Sequence, residues 1–245
     1  MQYEFVMKPN SVTVITPTLC SEKLFDAIES VKQQTYDHIT HLIVIDGPTS
    51  SRSKSRLYDL QSDKLKIIDL PENTGGGATG FYGHRIYSGV PHLVNSDRVF
   101  FLDDDNWYEN DHVESLVNVL NKVPMAFSFR QIYDENKYYI CDDNCESLGK
   151  WPIYFTHDNP QYLIDTSSFA FRTDFLISVA HLWHSGWGGD RRFLSSVKDI
   201  PHETNYKHSL CYRLDGNQNS VKEDFFLKGN EQQLNHYKGN LPWIK

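Results

Sequence analysis

Val99-Phe100-Phe101-Leu102-Asp103-Asp104-Asp105-Asn106 is an apolar run that leads directly into three consecutive carboxylates. Four residues of high strand propensity without polar side-chain atoms predict a buried strand. Three mutually repelling charges at its end are unfavourable to bury without partners. A hard divalent cation, bound by one or two carboxylates together with substrate phosphates, would satisfy them, whereas a solvated acidic loop is the alternative.

Three further apolar strands precede this one, at residues 11–18, 41–45 and 65–70. Helical spacing follows in residues 21–34, where Ser21 is the predicted cap, in residues 51–60, and again from Phe81 through Ile86. Strands that are apolar throughout and alternate with helices favour an α/β fold, with a mostly parallel sheet covered on both faces.

Polar residues occur where these strands end. Thr16 and Thr18 end the first strand, Asp46 ends the second, the glycine-rich residues 73–80 follow the third, and the acidic residues follow the fourth. Ligands of parallel sheets bind beyond the carboxyl ends of the strands, so we expect these groups to converge on one crevice.

The pattern changes after Asp105. We predict the following elements: a helix over 110–120, antiparallel strands over 125–132 and 137–141 around a turn at 134–136, a long loop over 141–160, an apolar stretch at 167–171, a helix over 173–184 and a final helix over 221–234. A lone acid, Asp190, follows the glycine-rich turn at 186–189.

Composition narrows the function classes. The 245 residues include 24 basic and 32 acidic side chains, a formal charge of −8, and no basic cluster interleaved with aromatics, so we expect no nucleic-acid partner. The sequence has no apolar run of about 20 residues and no secretion-signal pattern, which predicts a cytoplasmic protein without a transmembrane segment. Cys141 and Cys145 have a zinc-like spacing but lack a second ligand pair.

Taken in order, the segments VTVITPT, LIVIDGP, LPENTGGGATG, FFLDDDN and WGGDRRFL resemble the family 2 glycosyltransferases of the GT-A fold. The resemblance covers about residues 11–200 and implies a Rossmann-like, mostly parallel sheet flanked by helices, with a smaller antiparallel acceptor-side portion. We expect one domain, with a nucleotide-sugar-binding half at 1–106 and an acceptor-binding half at 107–245.

The resemblance implies inverting transfer of a sugar from a nucleoside diphosphate sugar, with uracil the expected base, to a glycan, glycoprotein or glycolipid acceptor. Its Asp-x-Asp motif matches Asp103, expected near the ribose, and Asp105, expected to bind Mn²⁺ or Mg²⁺. Asp104 occupies the variable middle position, and its loss is expected to matter least. The other donor-binding positions implied are Pro17 and Thr18 by the base or ribose, Asp46 on the base, and Asn73, Gly75 and Arg85 by the base and phosphates.

For the acceptor, the family places a catalytic acid in a late Glu-Asp pair. Asp190 is therefore the expected general base, although Gly189 stands where Glu is common, and an ordinary helix N-cap is the alternative role of Asp190. Some GT-A enzymes add a late His to the metal shell, for which His208 is preferred over His202; a solvated side chain is the alternative.

Several assignments stay open at this point. Trp151, Trp183 and Trp187 fit either stacking on sugar rings or packing in the core. The glycines at 75–80 fit either close approach to a nucleotide or a tight turn.

Two other functions are alternatives. A nucleotidyltransferase that makes sugar nucleotides would need a glycine-rich, basic loop after the first strand, and ITPTLCSEKL contains no glycine. A non-catalytic nucleotide-sugar-binding module is the other alternative.

Overall fold

The computed structural model describes residues 7–49, 52–76, 80–216 and 221–245. Within them, nine strands form one sheet that carries helices on both faces. The strands are β1 (Lys8–Thr18), β2 (Ile39–Ile45), β3 (Leu65–Asp69), β4 (Ser96–Phe101), β5 (Trp107–Tyr108), β6 (Met125–Tyr133), β7 (Tyr139–Asp142), β8 (Phe169–Arg172) and β9 (His202–Arg213). The α-helices are α1 (Leu24–Lys32), α2 (Arg52–Asp59), α3 (His84–Gly89), α4 (His112–Leu120), α5 (Thr173–Val179), α6 (Gly189–Val197) and α7 (Glu223–His236).

The first four strands form the parallel half of the sheet, in the order β3-β2-β1-β4. The register pairs Thr18 with Ile45 and Ile45 with Asp69, so the carboxyl ends of β1, β2 and β3 meet at the same edge. The predicted parallel sheet is therefore confirmed in this half, and the polar residues that follow its strands lie together.

The second half of the sheet is mixed. β8 is antiparallel to both β4 and β6, β6 is parallel to β9, and β5 and β7 complete the sheet at its margins. The predicted antiparallel pairing of β6 with β7 is confirmed, and Asp134 and Tyr138 close the turn between them through a backbone hydrogen bond. The long strand β9 had no counterpart among the predictions.

Two apolar layers enclose the sheet. Val14 and Phe100 point to one layer, which contains Val113 of α4, whereas Ile15 and Phe101 point to the other. Adjacent residues of a strand face opposite sides, so a strand covered on both faces is apolar at every position. Trp183 is fully buried in the second layer, which settles its role as core packing.

Some element boundaries differ from the predictions. Helix α1 begins at Leu24 without a side-chain cap, so the predicted capping by Ser21 is wrong; the Ser21 hydroxyl instead donates a hydrogen bond to Asp104. Helix α5 ends at Val179 and continues only as a short 3₁₀ turn. Ser51 of the predicted second helix and residues 77–79 of the glycine-rich segment lie outside the described residues.

Candidate functional site

A crevice of about 580 Å³ lies beyond the carboxyl edge of the parallel strands. It brings together most of the candidates chosen from the sequence: Pro17, Thr18, Asp46, Asn73, Gly75, Asp103, Asp104, Asp105 and Asp190. Two candidates, Arg85 and His208, are absent from the described residues that line it. These strand-end residues therefore converge on one crevice, as the strand-end rule predicts.

Asp46 organises the loop after β3. Its Oδ1 accepts hydrogen bonds from the backbone N–H and the hydroxyl of Thr74, at 2.7 and 2.8 Å, and its Oδ2 accepts from the N–H of Gly75 at 3.0 Å. Asn73 donates from its amide to the Asp46 carbonyl at 2.8 Å. A Cβ at position 75 would lie 1.7 Å from the carbonyl oxygen of Tyr82, so close backbone packing requires glycine there.

Asp103 is held by two hydroxyl groups. Tyr87 donates to Oδ1 at 2.9 Å and Ser167 to Oδ2 at 3.0 Å. Burial raises the pKa of Asp103 to about 8, and the nearby carboxylates of Asp165 and Asp105 act in the same direction. The orientation of this carboxylate is thus fixed by the protein before any ligand binds.

Asp104 faces the carboxyl end of β1. Its Oδ2 accepts hydrogen bonds from the hydroxyls of Thr18, at 2.5 Å, and Ser21, at 3.3 Å. Burial raises its pKa, and these two hydrogen bonds oppose that rise. The middle carboxylate therefore connects the end of β1 to the end of β4.

The Asp105 carboxylate differs from its neighbours, because no side chain among the described residues donates a hydrogen bond to it. Burial, followed by the charge of Asp104, raises its pKa to about 6. In the described parts of the chain, no three His, Cys, Asp or Glu side chains are arranged to hold a metal ion. A hard cation here would fit an oxygen donor such as Asp105 only in combination with phosphate oxygens of a ligand.

Asp190 is the second residue of α6. Gly188, in the left-handed conformation with a φ of 73°, precedes the helix, so Asp190 lies in the first turn and the N-cap alternative is wrong. Its Oδ1 accepts a hydrogen bond of 2.7 Å from the N–H of Arg191. Burial raises the pKa of Asp190, while that N–H and the charge of Arg191 oppose the rise. A half-buried carboxylate of raised pKa in a cleft is suited to accept a proton.

The two candidates outside the crevice have other partners. Pairing of β9 with β6 places His208 opposite Phe129, and their ring centroids are 5.2 Å apart. The strand register therefore places His208 against Phe129 and not in the crevice, which differs from its expected place in the metal shell with Asp105. The guanidinium carbon of Arg85 lies 4.0 Å from the ring centroid of Phe81.

The crevice wall contains a buried ionic cluster that the sequence analysis does not predict. Arg130 donates to Asp143 at 2.7 Å, to Asp165 at 2.8 Å and to Glu146 at 2.5 Å. Arg191 binds the other oxygen of Glu146 at 3.0 Å. A signal was available, because an arginine in the middle of the apolar strand MAFSFRQIY needs buried acidic partners.

The fold is that of the GT-A glycosyltransferases. Crystal structures of Staphylococcus aureus TarS 1-349 are similar to it: the complex with UDP has a TM-score of 0.62 at 14% identity, covering 92% of this chain and 66% of that one. The complex with UDP-GlcNAc has a TM-score of 0.62 at 13% identity, covering 85% and 60%. At these identities the similarity establishes the fold alone.

Sequence comparison identifies the family. Residues 13–186 match the profile of glycosyl transferase family 2, and the chain belongs to this family. Glycosyltransferase GlyA of Streptococcus pneumoniae serotype 4 (strain ATCC BAA-334 / TIGR4) is 27% identical over 129 residues, which are 52% of this chain. The matched part is 18% of GlyA, less than a fifth of that protein's length. No helix among the described residues has the length and apolar character needed to cross a bilayer.

Proposed function

We propose that this chain transfers a sugar from a uridine diphosphate sugar to a hydroxyl group of a glycan, glycoprotein or glycolipid, with inversion at the anomeric carbon. The observation that carries the proposal is the single crevice that holds both the carboxylates after β4 and Asp190 of α6. Membership of glycosyl transferase family 2 supports the reaction class, and the UDP and UDP-GlcNAc complexes of TarS support uracil as the base.

The nucleoside is assigned to the edge formed by β1, β2 and the loop after β3. Pro17 and Thr18 lie at the end of β1, and Asp46 with Asn73 and Gly75 forms the adjoining wall. Asp46 fixes the backbone of this loop, because it binds Thr74 and Gly75. Its Oδ2 accepts only one of these hydrogen bonds and can accept another from an N–H of the base.

The diphosphate is assigned to the neighbourhood of Asp103 and Asp105. Asp105 is our proposed ligand of Mn²⁺ or Mg²⁺, since its carboxylate is the one without a side-chain hydrogen-bond donor among the described residues. When bound, the ion would stabilise the negative charge that develops on the leaving diphosphate. Asp103, fixed by Tyr87 and Ser167, is assigned to the ribose.

Asp190 is our proposed general base. Its carboxylate takes the proton of the acceptor hydroxyl while that oxygen forms a bond to the anomeric carbon and the bond from this carbon to the diphosphate breaks. Attack from the face opposite the leaving group inverts the configuration. The raised pKa of Asp190 makes it a stronger proton acceptor than an exposed aspartate.

Release of UDP from UDP-glucose, UDP-galactose and UDP-GlcNAc, with Mn²⁺ and with chelator, tests the proposal. We expect metal-dependent release from at least one donor. Asp105→Asn should abolish the metal-dependent part, and Asp190→Asn should lower the rate by about 10²–10⁴-fold while UDP still binds. The matched control is Asp63→Asn, which alters a fully exposed carboxylate and should leave the rate unchanged.

Three outcomes would contradict the proposal in different ways. Full activity in both crevice variants would overturn the residue roles. Pyrophosphate release from a sugar phosphate and UTP would favour a nucleotidyltransferase. Tight binding of a UDP-sugar with no turnover by the unaltered protein would favour a binding module.

A further inference from the structure

His84, the first residue of α3, lines the crevice and is fixed by backbone carbonyls. Its Nδ1 lies 2.6 Å from the carbonyl oxygen of Ser185 and 3.2 Å from that of Gly186. Carbonyl oxygens only accept hydrogen bonds, so Nδ1 carries the proton and donates it. In the neutral ring Nε2 is then an acceptor, and in the described part of the chain no hydrogen bond to it is formed.

Gly189 explains why the imidazole can lie there. A Cβ at position 189 would be 2.6 Å from both Cε1 and Nδ1 of His84, nearer than a real Cβ approaches other atoms. The φ of Gly189 is outside the left-handed region, so space rather than backbone conformation demands the glycine. Any side chain at position 189 would therefore displace the ring of His84 from its present place.

His84 is connected to both parts of the proposed reaction centre through its neighbours. Tyr87, three residues further along α3, holds Asp103 on the diphosphate side. Gly189, which His84 contacts, immediately precedes Asp190 on the base side. A sugar that joins the diphosphate to the attacking hydroxyl must occupy this interval.

We propose that Nε2 of His84 accepts a hydrogen bond from a hydroxyl of the sugar being transferred, and that the missing side chain at position 189 leaves room for the His84 ring to do so. His84 is then a determinant of donor-sugar specificity. This inference rests on the proposed function, because it requires a nucleoside diphosphate sugar in the crevice.

Calorimetry with UDP and with UDP-glucose, UDP-galactose and UDP-GlcNAc, in the presence of Mn²⁺ and without acceptor, separates sugar contacts from nucleotide contacts. We expect His84→Ala to leave the Kd for UDP within about twofold and to weaken binding of the preferred UDP-sugar by about three- to tenfold, the range for one neutral hydrogen bond. His84→Asn retains an amide donor near the position of Nδ1 but lacks an atom at Nε2, so it should behave like His84→Ala.

A double-mutant cycle tests the exclusion between the two residues. Gly189→Ala should displace the ring and weaken binding of the same UDP-sugar to a similar extent as His84→Ala. The double variant should be no weaker than either single one, because both remove the same contact. Gly89→Ala is the matched control, since a Cβ there meets no atom within 4 Å.

The possible failures are distinguishable. If the unaltered protein does not bind UDP, the proposed function fails and the inference fails with it. If UDP binds but His84→Ala and His84→Asn retain the unaltered preference for the UDP-sugar over UDP, the inference is overturned and the proposed function stands. If His84→Asn retains the preference that His84→Ala loses, the ring serves only to tie α3 to residues 185 and 186, which also overturns the inference.

Discussion

The hydroxyl of Thr18 donates a hydrogen bond of 2.5 Å to Oδ2 of Asp104, joining the ends of two neighbouring parallel strands, β1 and β4. The same hydroxyl oxygen accepts a hydrogen bond of 2.8 Å from the N–H of Cys20. The middle carboxylate thus fixes the chain that leaves β1, directly after the proposed nucleoside contact at Pro17. We infer that Asp104 supports the proposed donor site structurally, whereas its variable position in the motif predicts the smallest role of the three carboxylates.

We expect Asp104→Ala to lower the free energy of unfolding by about 1–3 kcal/mol, the cost of leaving a buried donor without its charged acceptor. It should also weaken UDP binding, because the end of β1 loses its tether. Urea denaturation and calorimetry with UDP measure the two effects. Thr18→Val, which removes the donor at similar volume, should show both effects; unchanged UDP affinity in both variants would show the tether to be irrelevant to the donor.

The Arg130 cluster provides a second prediction. Its guanidinium compensates three carboxylates, those of Asp143, Glu146 and Asp165, all of them buried. We expect Arg130→Met to destabilise the fold by about 3–5 kcal/mol, because the carboxylates lose their counter-charge. Burial already raises the pKa of Glu146 and Asp165, and Arg130 opposes that rise.

Without Arg130 these carboxyls should take up protons, so the destabilisation should be larger at pH 8 than at pH 5. Urea denaturation at both pH values measures it. Arg172→Met is the matched control, because the Arg172–Asp174 pair is more than half exposed and is expected to contribute about 0–1 kcal/mol. Equal effects of the two substitutions would contradict the assignment.

Asp190 provides a prediction for pH dependence. Burial raises its pKa above the ordinary value of 3.8, so the folded protein favours the neutral carboxyl more than the unfolded chain does. The associated stability is present at low pH and is lost as the pH rises through the folded-state pKa. Asp190→Asn, which is neutral at every pH, should therefore be more stable than the unaltered protein at pH 7.

This gain should disappear below about pH 3.8, where both states bind the proton. Thermal unfolding followed by circular dichroism across this range measures it. The exposed Asp63→Asn has no burial cost to remove and should show no such gain. A substitution at Asp190 that removes activity and also destabilises the protein at pH 7 would contradict the assigned burial cost.

The parallel half of the fold could be predicted because its signals are local. Phe100 and Phe101 face opposite apolar layers, so two consecutive apolar residues in the sequence indicate a strand that is buried on both faces. The carboxylates that follow them locate the ligand edge by the general rule for parallel sheets. The strand β9 gives no such signal, since residues 202–209 include no apolar side chain other than Tyr206, and Tyr206 interrupts the extended backbone with a φ of 58°.

Individual roles at the site depend on contacts between distant positions. Thr18 and Asp104 are 86 residues apart, and their hydrogen bond follows from the register of two strands rather than from either segment. The placement of His84 depends on a glycine at 189, 105 positions later. The sequence shows that Gly189 replaces the Glu of the family's Glu-Asp pair. It does not show that the ring of His84 lies where a side chain at position 189 would be.

Trp187 provides the last prediction. Its side chain is 73% exposed, yet it lines the crevice between Gly186 and Gly188, and its carbonyl accepts a hydrogen bond of 2.6 Å from Arg192. A ligand that covers about 60 Å² of the exposed ring would gain about 1.5 kcal/mol, a factor of about ten in affinity, at about 25 cal/mol per Å².

We therefore expect Trp187→Ala to leave the free energy of unfolding within about 0.5 kcal/mol, as for other exposed positions, and to weaken binding of a sugar ligand by up to about tenfold. Fluorescence titration of the Trp187→Phe variant and the unaltered protein with UDP-GlcNAc, beside calorimetry of Trp187→Ala, measures the effect. Tyr138→Ala is the control, because Tyr138 is 72% exposed in the turn between β6 and β7 and does not line the crevice. If Trp187→Ala binds UDP-GlcNAc and turns it over like Tyr138→Ala, the exposed ring has no part in ligand binding.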